Sequence, residues 1–232
     1  MNFKNILISG VLIKRYKRFF ADVKIKDTVV TAHCPNTGSM MGLLRSGNRV
    51  WLSKTDNPKR KLKYTLQIIE TDTTKVGVNT LLTNKIIFNA LHDKEIKEFK
   101  NIQNIYREVK FGKNTRFDFL VSEENKRSFI EVKNVTLSRT EGVAEFPDTI
   151  TSRGQKHINE LVKANKEGYQ VYILYVIQRD DCQKFKIAKD IDSKYYELLE
   201  KAVKKNLKVL CYDCKFTSKG IKLNHEIKFK IK

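Results

Sequence analysis

Residues 117–135, FDFLVSEENKRSFIEVKNV, hold the side chains best suited to chemistry: Asp118, Glu131 and Lys133. The segment reads as two apolar strands joined by a charged turn. The first strand carries one acid, and the second carries Glu131-Val132-Lys133. Two carboxylates and a backbone carbonyl, here that of Val132, are the hard oxygen ligands that Mg²⁺ or Mn²⁺ takes. Lys133, two residues beyond Glu131, shares its face of the strand. A cation placed there can stabilise charge that builds on a phosphate. The set suits metal-assisted hydrolysis of a phosphodiester.

The triplet alone is weak evidence, because a lysine-rich chain repeats Glu-x-Lys at Glu95, Glu98, Glu108 and Glu226. Register is a sharper criterion. A connection over 123–126 sets Leu120 opposite Phe129, Asp118 opposite Glu131 and Phe117 opposite Val132. Alternation then puts Phe117, Phe119 and Val121 on one face, and Asp118 and Leu120 on the other. A slip of one residue would send the two carboxylates to opposite faces. Opposed carboxylates repel, so a cation, a proton or solvent must offset them. The alternative is an exposed hairpin with Lys133 nearby by chance.

These elements sit in a chain of 232 residues with a formal net charge of +20. That length is one large domain or two small ones. Residues 1–82 hold 15 Lys and Arg against 5 Asp and Glu, so the smaller segment carries as much net charge as the rest. Such a bias points to a polyanionic partner for the N-terminal part. No apolar run is long enough to cross a bilayer. The first basic cluster follows the first apolar stretch, unlike a secretory signal. A cytoplasmic protein with no membrane partner is expected. Four cysteines are too few for a disulfide scaffold of this size. Cys211 and Cys214 lie in a strand-like run, KVLCYDCKF, and read as buried thiols rather than a zinc site.

Residues 1–82 read as short strands: NILISGVLI, FADVKI, TVVTAHC, RVWLSK, YTLQIIE and VGVNTLL. Gly, Asn, Asp and Pro separate them, which suits a small closed barrel, most simply an OB-like one. Two loops interleave cations with rings. Arg15, Tyr16 and Arg18 stand in KRYKRFF; Lys59 and Arg60 stand in DNPKRK, ahead of Tyr64. Cations neutralise phosphates while rings stack bases, so these are candidate nucleic-acid contacts. The alternative is core rings beneath a solvated charged face. Between the two lies HCPNTGSM, a turn-forming run. Its Asn36 and Thr37 offer polar groups to a phosphate or a nucleotide edge.

Residues 83–232 read as α-β-β-β-α-β and then α-β-β. A helix is predicted over 84–102, broken near Asp93, and a loop over 138–147. A second helix runs from about Thr151 to Gly168. VYILYVIQ is continuously apolar, as in a strand buried on both faces. The expected fold class is mixed α/β, a sheet with helices on its faces.

The runs RYKRFFADV, HCPNTGSM, VWLSKTDNPKRK, GVNT, YREVKFGKNTRFDF, IEVKNVTL and FPDTITSRGQKH span almost the whole chain. In this order they resemble the sugar fermentation stimulation protein A family. The resemblance implies an OB-like domain over 1–82 and a PD-(D/E)xK nuclease-like domain over 83–232. It also implies binding to nucleic acid, DNA ahead of RNA. Asp118 matches the strand acid of that nuclease pattern, and Glu131 and Lys133 match its ExK pair. Glu108 matches an upstream acid, although many such nucleases carry it on the first helix and Glu108 lies on a strand. Gln155 resembles a polar residue placed near the phosphate. His157 is a candidate extra contact by its place on the same helix, and the alternative is a structural histidine. Phe117 stands where the pattern has proline. Two functions are compatible: a Mg²⁺- or Mn²⁺-dependent nuclease, or a DNA-binding regulator that keeps the fold without using the site. The complete Asp118, Glu131 and Lys133 set favours the first.

Overall fold

A computed structural model describes residues 1–217, 219–229 and 231. In the N-terminal part, alternating apolar residues point into one core. Leu12 comes from β1 (Ile8–Tyr16), Val23 from β2 (Phe20–Ile25) and Ala32 from β3 (Thr28–His33). Leu52 comes from β4 (Arg49–Lys54) and Leu66 from β5 (Tyr64–Glu70). Antiparallel ladders join β1 to β2, β2 to β3, β1 to β4 and β4 to β5. A parallel β3–β5 pairing at Ala32 and Tyr64 closes the ring. The result is a five-stranded OB-like barrel, with β6 (Lys75–Gly77) added beside β5. Strand β1 serves two neighbours, β4 with its first half and β2 with its second, and bends at an irregularity between Leu12 and Lys14. At Gly10 the strands approach so closely that a Cβ would meet Val23 at 2.5 Å.

After the barrel come α1 (Thr83–His92), β7 (Asn104–Phe111), β8 (Thr115–Glu123) and β9 (Lys126–Val135). Then follow β10 (Leu137–Thr140), β11 (Val143–Phe146), α2 (Ser152–Lys166) and β12 (Gln170–Ile177). The chain continues through β13 (Lys184–Ile187), α3 (Ser193–Val203), β14 (Lys208–Phe216) and β15 (Ile221–Glu226). A six-stranded mixed sheet runs in the order β15-β14-β12-β9-β8-β7. Its centre, β9, β12 and β14, is parallel, and α2 and α3 are the crossovers. One face buries Ile158, Leu161 and Leu199 from these two helices; the other buries Ile86, Ile87 and Leu91 from α1. Helix α2 starts where Thr151 accepts the Gly154 N–H at 3.0 Å, a side-chain N-cap. Asp192 caps α3 through the Tyr195 N–H at 2.9 Å.

Three local expectations differ from the structure. The segment 138–147 is not a loop: β10 and β11 form a hairpin turned at Gly142 (φ +71°), and β11 pairs in parallel with β13. Its strand pattern is masked because Glu145 is buried there, paired with Arg139 at 2.8 Å. The helix after the barrel breaks at Asp93 as expected, where Lys94 takes φ +57°, but it does not resume as an α-helix: only a short 3₁₀ turn at Lys97–Phe99 follows. Phe117 does not share a face with Phe119: it packs on the α2 side with Phe111 and Phe129, while Phe119 and Val121 face α1. All four cysteines are free and buried. Among the described residues no helix is long and apolar enough to cross a membrane.

The barrel rests on the sheet through short polar contacts. Gly77 N–H donates to Gln178 O at 2.9 Å, Ser39 Oγ to Asp148 O at 2.8 Å, and Thr73 Oγ1 to Asp181 at 3.1 Å. Residues 1–3 stay outside the barrel and bond residues 219–221 instead.

Phe117 is fully buried, with its ring 4.9 Å from Phe129 and 5.5 Å from Phe111. Phe117→Ala is expected to destabilise the sheet domain by about 3–5 kcal/mol, read as a lower midpoint in urea denaturation.

Candidate active site

The β8–β9 hairpin turns at Glu124 and Asn125 and keeps the predicted register from Glu123–Lys126 up to Phe119–Ile130. There the ladder stops. The predicted pairs Asp118–Glu131 and Phe117–Val132 do not form, and the hairpin forks. In the fork, Val132 N–H donates to the Asp118 carboxylate at 2.7 Å rather than to a β8 carbonyl. The fork also explains the switch of Phe117: strand alternation breaks at Asp118.

Strand β9 keeps its alternation, so Ile130 and Val132 face α1 while Glu131 faces α2. Glu131 is only 3% exposed. One of its oxygens, Oε1, meets both Lys133 Nζ at 2.5 Å and His157 Nδ1 from α2. The other, Oε2, is buried without a hydrogen-bond partner among the described residues. Burial alone would push this carboxyl up, but the Lys133 and His157 charges and hydrogen bonds hold it below the usual range. Asp118 is pushed the other way, up to about 6, by burial first and then by the Glu131 charge. Its hydrogen bonds to Val132 and Asn84, and the Lys133 charge, oppose that rise.

Asn84 is a site residue that the sequence does not announce. It stands in the first turn of α1 and donates to Asp118 Oδ1 at 2.7 Å and, more distantly, to Glu108 Oε1 at 3.5 Å. A polar residue ahead of an apolar helical run looks like an ordinary helix start, so the sequence carried no signal for it. Glu108 itself is exposed on β7 with φ +52°, a left-handed conformation that is rare for a non-glycine strand residue. The structure thus gathers Asp118, Glu131, Lys133, Val132 and, at the rim, Glu108. Gln155 turns away: its amide donates to Asp192 at 2.9 Å and braces the α3 cap.

A hard cation fits this donor set. Glu131 Oε2 is an unmatched buried acceptor, and a cation beside it would relieve the repulsion that raises Asp118. Among the described residues no three His, Cys, Asp or Glu side chains stand grouped as a ready-made cage. Mg²⁺ characteristically takes one or two carboxylates and completes its shell with water.

The predicted nucleic-acid contacts lie at or beside the β1–β2 and β4–β5 loops and in the segment that follows β3. The β1–β2 hairpin tip exposes Lys17, Arg18 and Phe19, with φ +46° and +61° at the two cations. Tyr16, beside it, stacks on Phe20 at 5.5 Å. The β4–β5 loop exposes Lys59, while Arg60 bonds Thr65 at 3.0 Å. Arg15 is occupied internally: its guanidinium donates to Asn36 O at 2.7 Å and Gly38 O at 3.1 Å. Asn36 is buried, donating to Val78 O and accepting from Gly38 N–H, whereas Thr37 is exposed.

Comparison with known proteins adds to this geometry. Residues 81–220 match the sugar fermentation stimulation protein RE domain, and residues 13–78 match the SfsA N-terminal OB domain. The sugar fermentation stimulation protein homolog of Pelagibacter ubique is 55% identical over 228 residues, covering 98% of each chain. The homolog of Brucella anthropi is 45% identical, covering 95% of this chain and 96% of its own. Among solved structures, SfsA of Pyrococcus furiosus in complex with Ca²⁺ superposes with a TM-score of 0.91 at 26% identity, over 100% of this chain and 98% of that one.

A proton on Asp118 competes with any cation at the fork. The proton leaves as pH rises through about 6, so cation affinity rises through that range and is lost below it. Each pH unit below 6 should cost about tenfold in affinity, the slope for one displaced proton. Mn²⁺ titration by calorimetry at pH 5 and pH 7.5 measures this, and Asp118→Asn should flatten the profile.

Proposed function

The chain belongs to the sugar fermentation stimulation protein family, and we propose that it is a divalent-cation-dependent nuclease whose barrel presents a nucleic-acid strand to the β8–β9 fork. The observation that carries this reading is Glu131 Oε2, buried without a hydrogen-bond partner among the described residues, on a carboxylate whose other oxygen meets Lys133 and whose charge raises Asp118. We assign strand binding to residues 1–82 and phosphodiester hydrolysis to residues 83–232. Four free thiols accord with a reducing, cytoplasmic setting.

A divalent cation, when bound, supplies charge neutralisation at the phosphate and a more acidic water. Asp118, Glu131 and the Val132 carbonyl would hold it. Mg²⁺ or Mn²⁺ is the proposed ion, and the Ca²⁺ complex of the Pyrococcus furiosus protein supports a hard-cation site. Lys133 leaves Glu131 to meet the phosphate and stabilises charge on its oxygens as the bond breaks. His157 keeps Glu131 oriented while Lys133 is so engaged. Asn84 fixes the Asp118 carboxylate, and Glu108 extends the acidic rim.

The barrel supports the binding half of the proposal. OB folds bind oligonucleotides with the loops between strands 1 and 2 and between strands 4 and 5. Here those loops carry Lys17, Arg18 and Phe19, and Lys59 to Lys61. DNA is proposed ahead of RNA.

Glu131→Gln keeps shape and removes a ligand charge; Lys133→Ala removes the phosphate-facing cation. Both are expected to reduce Mn²⁺-dependent cleavage of labelled DNA and RNA by at least about 10²-fold, as when an electrostatic stabiliser is removed. The Glu131 variant should bind Mn²⁺ more weakly, and the Lys133 variant as well or better. Cleavage at wild-type rate by Glu131→Gln would refute the assignment. Inertness of the wild type on every substrate would favour the regulator instead. Binding should weaken with salt, and Arg18→Ala with Lys59→Ala should lower the log–log salt slope by up to about two, one for each cation–phosphate pair removed. Filter binding across a salt series measures it.

A further inference from the structure

Beside the fork lies a cleft of about 180 Å³ that the proposed hydrolysis leaves unused. Strand β9 leads into it directly, since Asn134 to Leu137 follow Lys133 and form part of its wall. The barrel loop at 36–38 forms the opposite wall, and the segment 145–151 closes a third side. Asp148 ties these walls together: Oδ2 accepts the Met40 N–H at 3.0 Å and its carbonyl accepts Ser39 Oγ. These contacts join the barrel-loop wall to the 145–151 wall.

Its lining contrasts with the rest of the molecule. In a chain with 46 Lys and Arg, none lines it. Two acids do, Glu145 and Asp148. Glu145 is already paired with Arg139 and Lys186, and no cation of the lining is offered to a phosphate. Val135, Leu137, Phe146 and Pro147 supply apolar surface. Around them stand groups with no intramolecular partner among the described residues: the hydroxyls of Thr37, Thr136 and Thr149. Asn134 adds a free amide donor, because only its oxygen is used, by Thr83 and Gln178. Apolar walls with a few placed donors and acceptors are the anatomy of a site for a small uncharged ring system.

We infer that this cleft receives one unpaired nucleobase of the strand whose phosphate lies at Lys133. The inference rests on the nuclease reading and deepens it, since it sets the substrate class: a nucleic acid with an unstacked, unpaired nucleotide beside the cut. A base within a duplex cannot enter without being flipped out, at a cost of a few kcal/mol. The phosphates stay outside, one at Lys133 and others toward the basic loops of the barrel.

The test uses the full chain in EDTA, so that capture is measured without cleavage. A single-stranded oligonucleotide bearing one 2-aminopurine and its fully paired duplex are titrated by fluorescence. The wild type is expected to bind the single strand at least tenfold more tightly, with a saturable change in 2-aminopurine emission. Thr149→Trp and Thr37→Trp fill the cleft from two exposed positions. Each should abolish the emission change and narrow the preference to within twofold, with the salt slope unchanged. Free deoxynucleosides should compete with the emission change in the wild type, which needs no variant to fold. Equal affinity for single strand and duplex would overturn the inference. So would an emission change that survives in either folded Trp variant, or competition by glucose but not by nucleosides. Glu131→Gln separates the two readings: capture kept with cleavage lost supports both, and cleavage kept defeats the nuclease reading alone.

Discussion

A carboxylate in mid-strand, in a sheet covered on both faces, constrains the whole C-terminal half. Leaving the Glu131 charge there unmatched would cost several kcal/mol. The match comes from two directions. Lys133 arrives from the same strand, two residues on, which the strand period guarantees. His157 arrives from α2, so that helix must dock with its first turns over β9. The Thr151 cap sets where α2 begins, and Ile158 and Leu161 seat it on the sheet. The crossover from β9 through α2 to β12 thus has its start and face decided by the same residues that satisfy Glu131. One oxygen meets both Lys133 and His157, and the other has no hydrogen-bond partner among the described residues.

The barrel is attached in a way that spares its cations. Its contacts to the sheet use hydroxyls and backbone groups on the barrel side and mainly acids or carbonyls on the other: Ser39 and Met40 on Asp148, Thr73 on Asp181, Thr74 on Asp180. Lys17, Arg18 and Lys59 remain exposed at loop tips. Arg15 is spent on the carbonyls of the 36–39 loop, where it supports one wall of the cleft, and Arg45 is spent on Asp72.

The sequence made the barrel, the hairpin register and the second helix legible, because each has a strong local signal. Alternation in RVWLSK and FADVKI, the apolar facing of Leu120 and Phe129, and Thr151 with Gly168 at the helix ends are of this kind. What escaped depends on long-range contacts. The strand at Val143–Phe146 hides because Glu145 is acceptable there only with Arg139 and Lys186 brought to it. Gln155 looked catalytic by position along α2, yet Asp192 from a distant turn claims its amide. Asn84 is silent in sequence, since its meaning lies in which carboxylate the fold sets beside it.

The fork itself follows from the acids it contains. On β7 and β8 the ladder runs from Arg107–Phe119 to Val109–Phe117 and omits the level of Glu108 and Asp118. On β8 and β9 it ends at Phe119–Ile130, omitting Asp118 and Glu131. The breaks line up across three strands, and the residues at that level are Glu108, Asp118 and Glu131. Regular pairing there would set carboxylate against carboxylate twice over, which is destabilising across strands. The sheet answers by splaying. Glu108 moves to positive φ, Asp118 turns to the freed Val132 N–H, and Glu131 turns to α2. Toward β12, where no acid faces it, Glu131 stays in register with Ile173. Backbone strain of this kind persists where the surroundings enforce it and clusters at functional sites. The same arrangement of charge that shapes the fork is the one the proposed divalent cation would relieve.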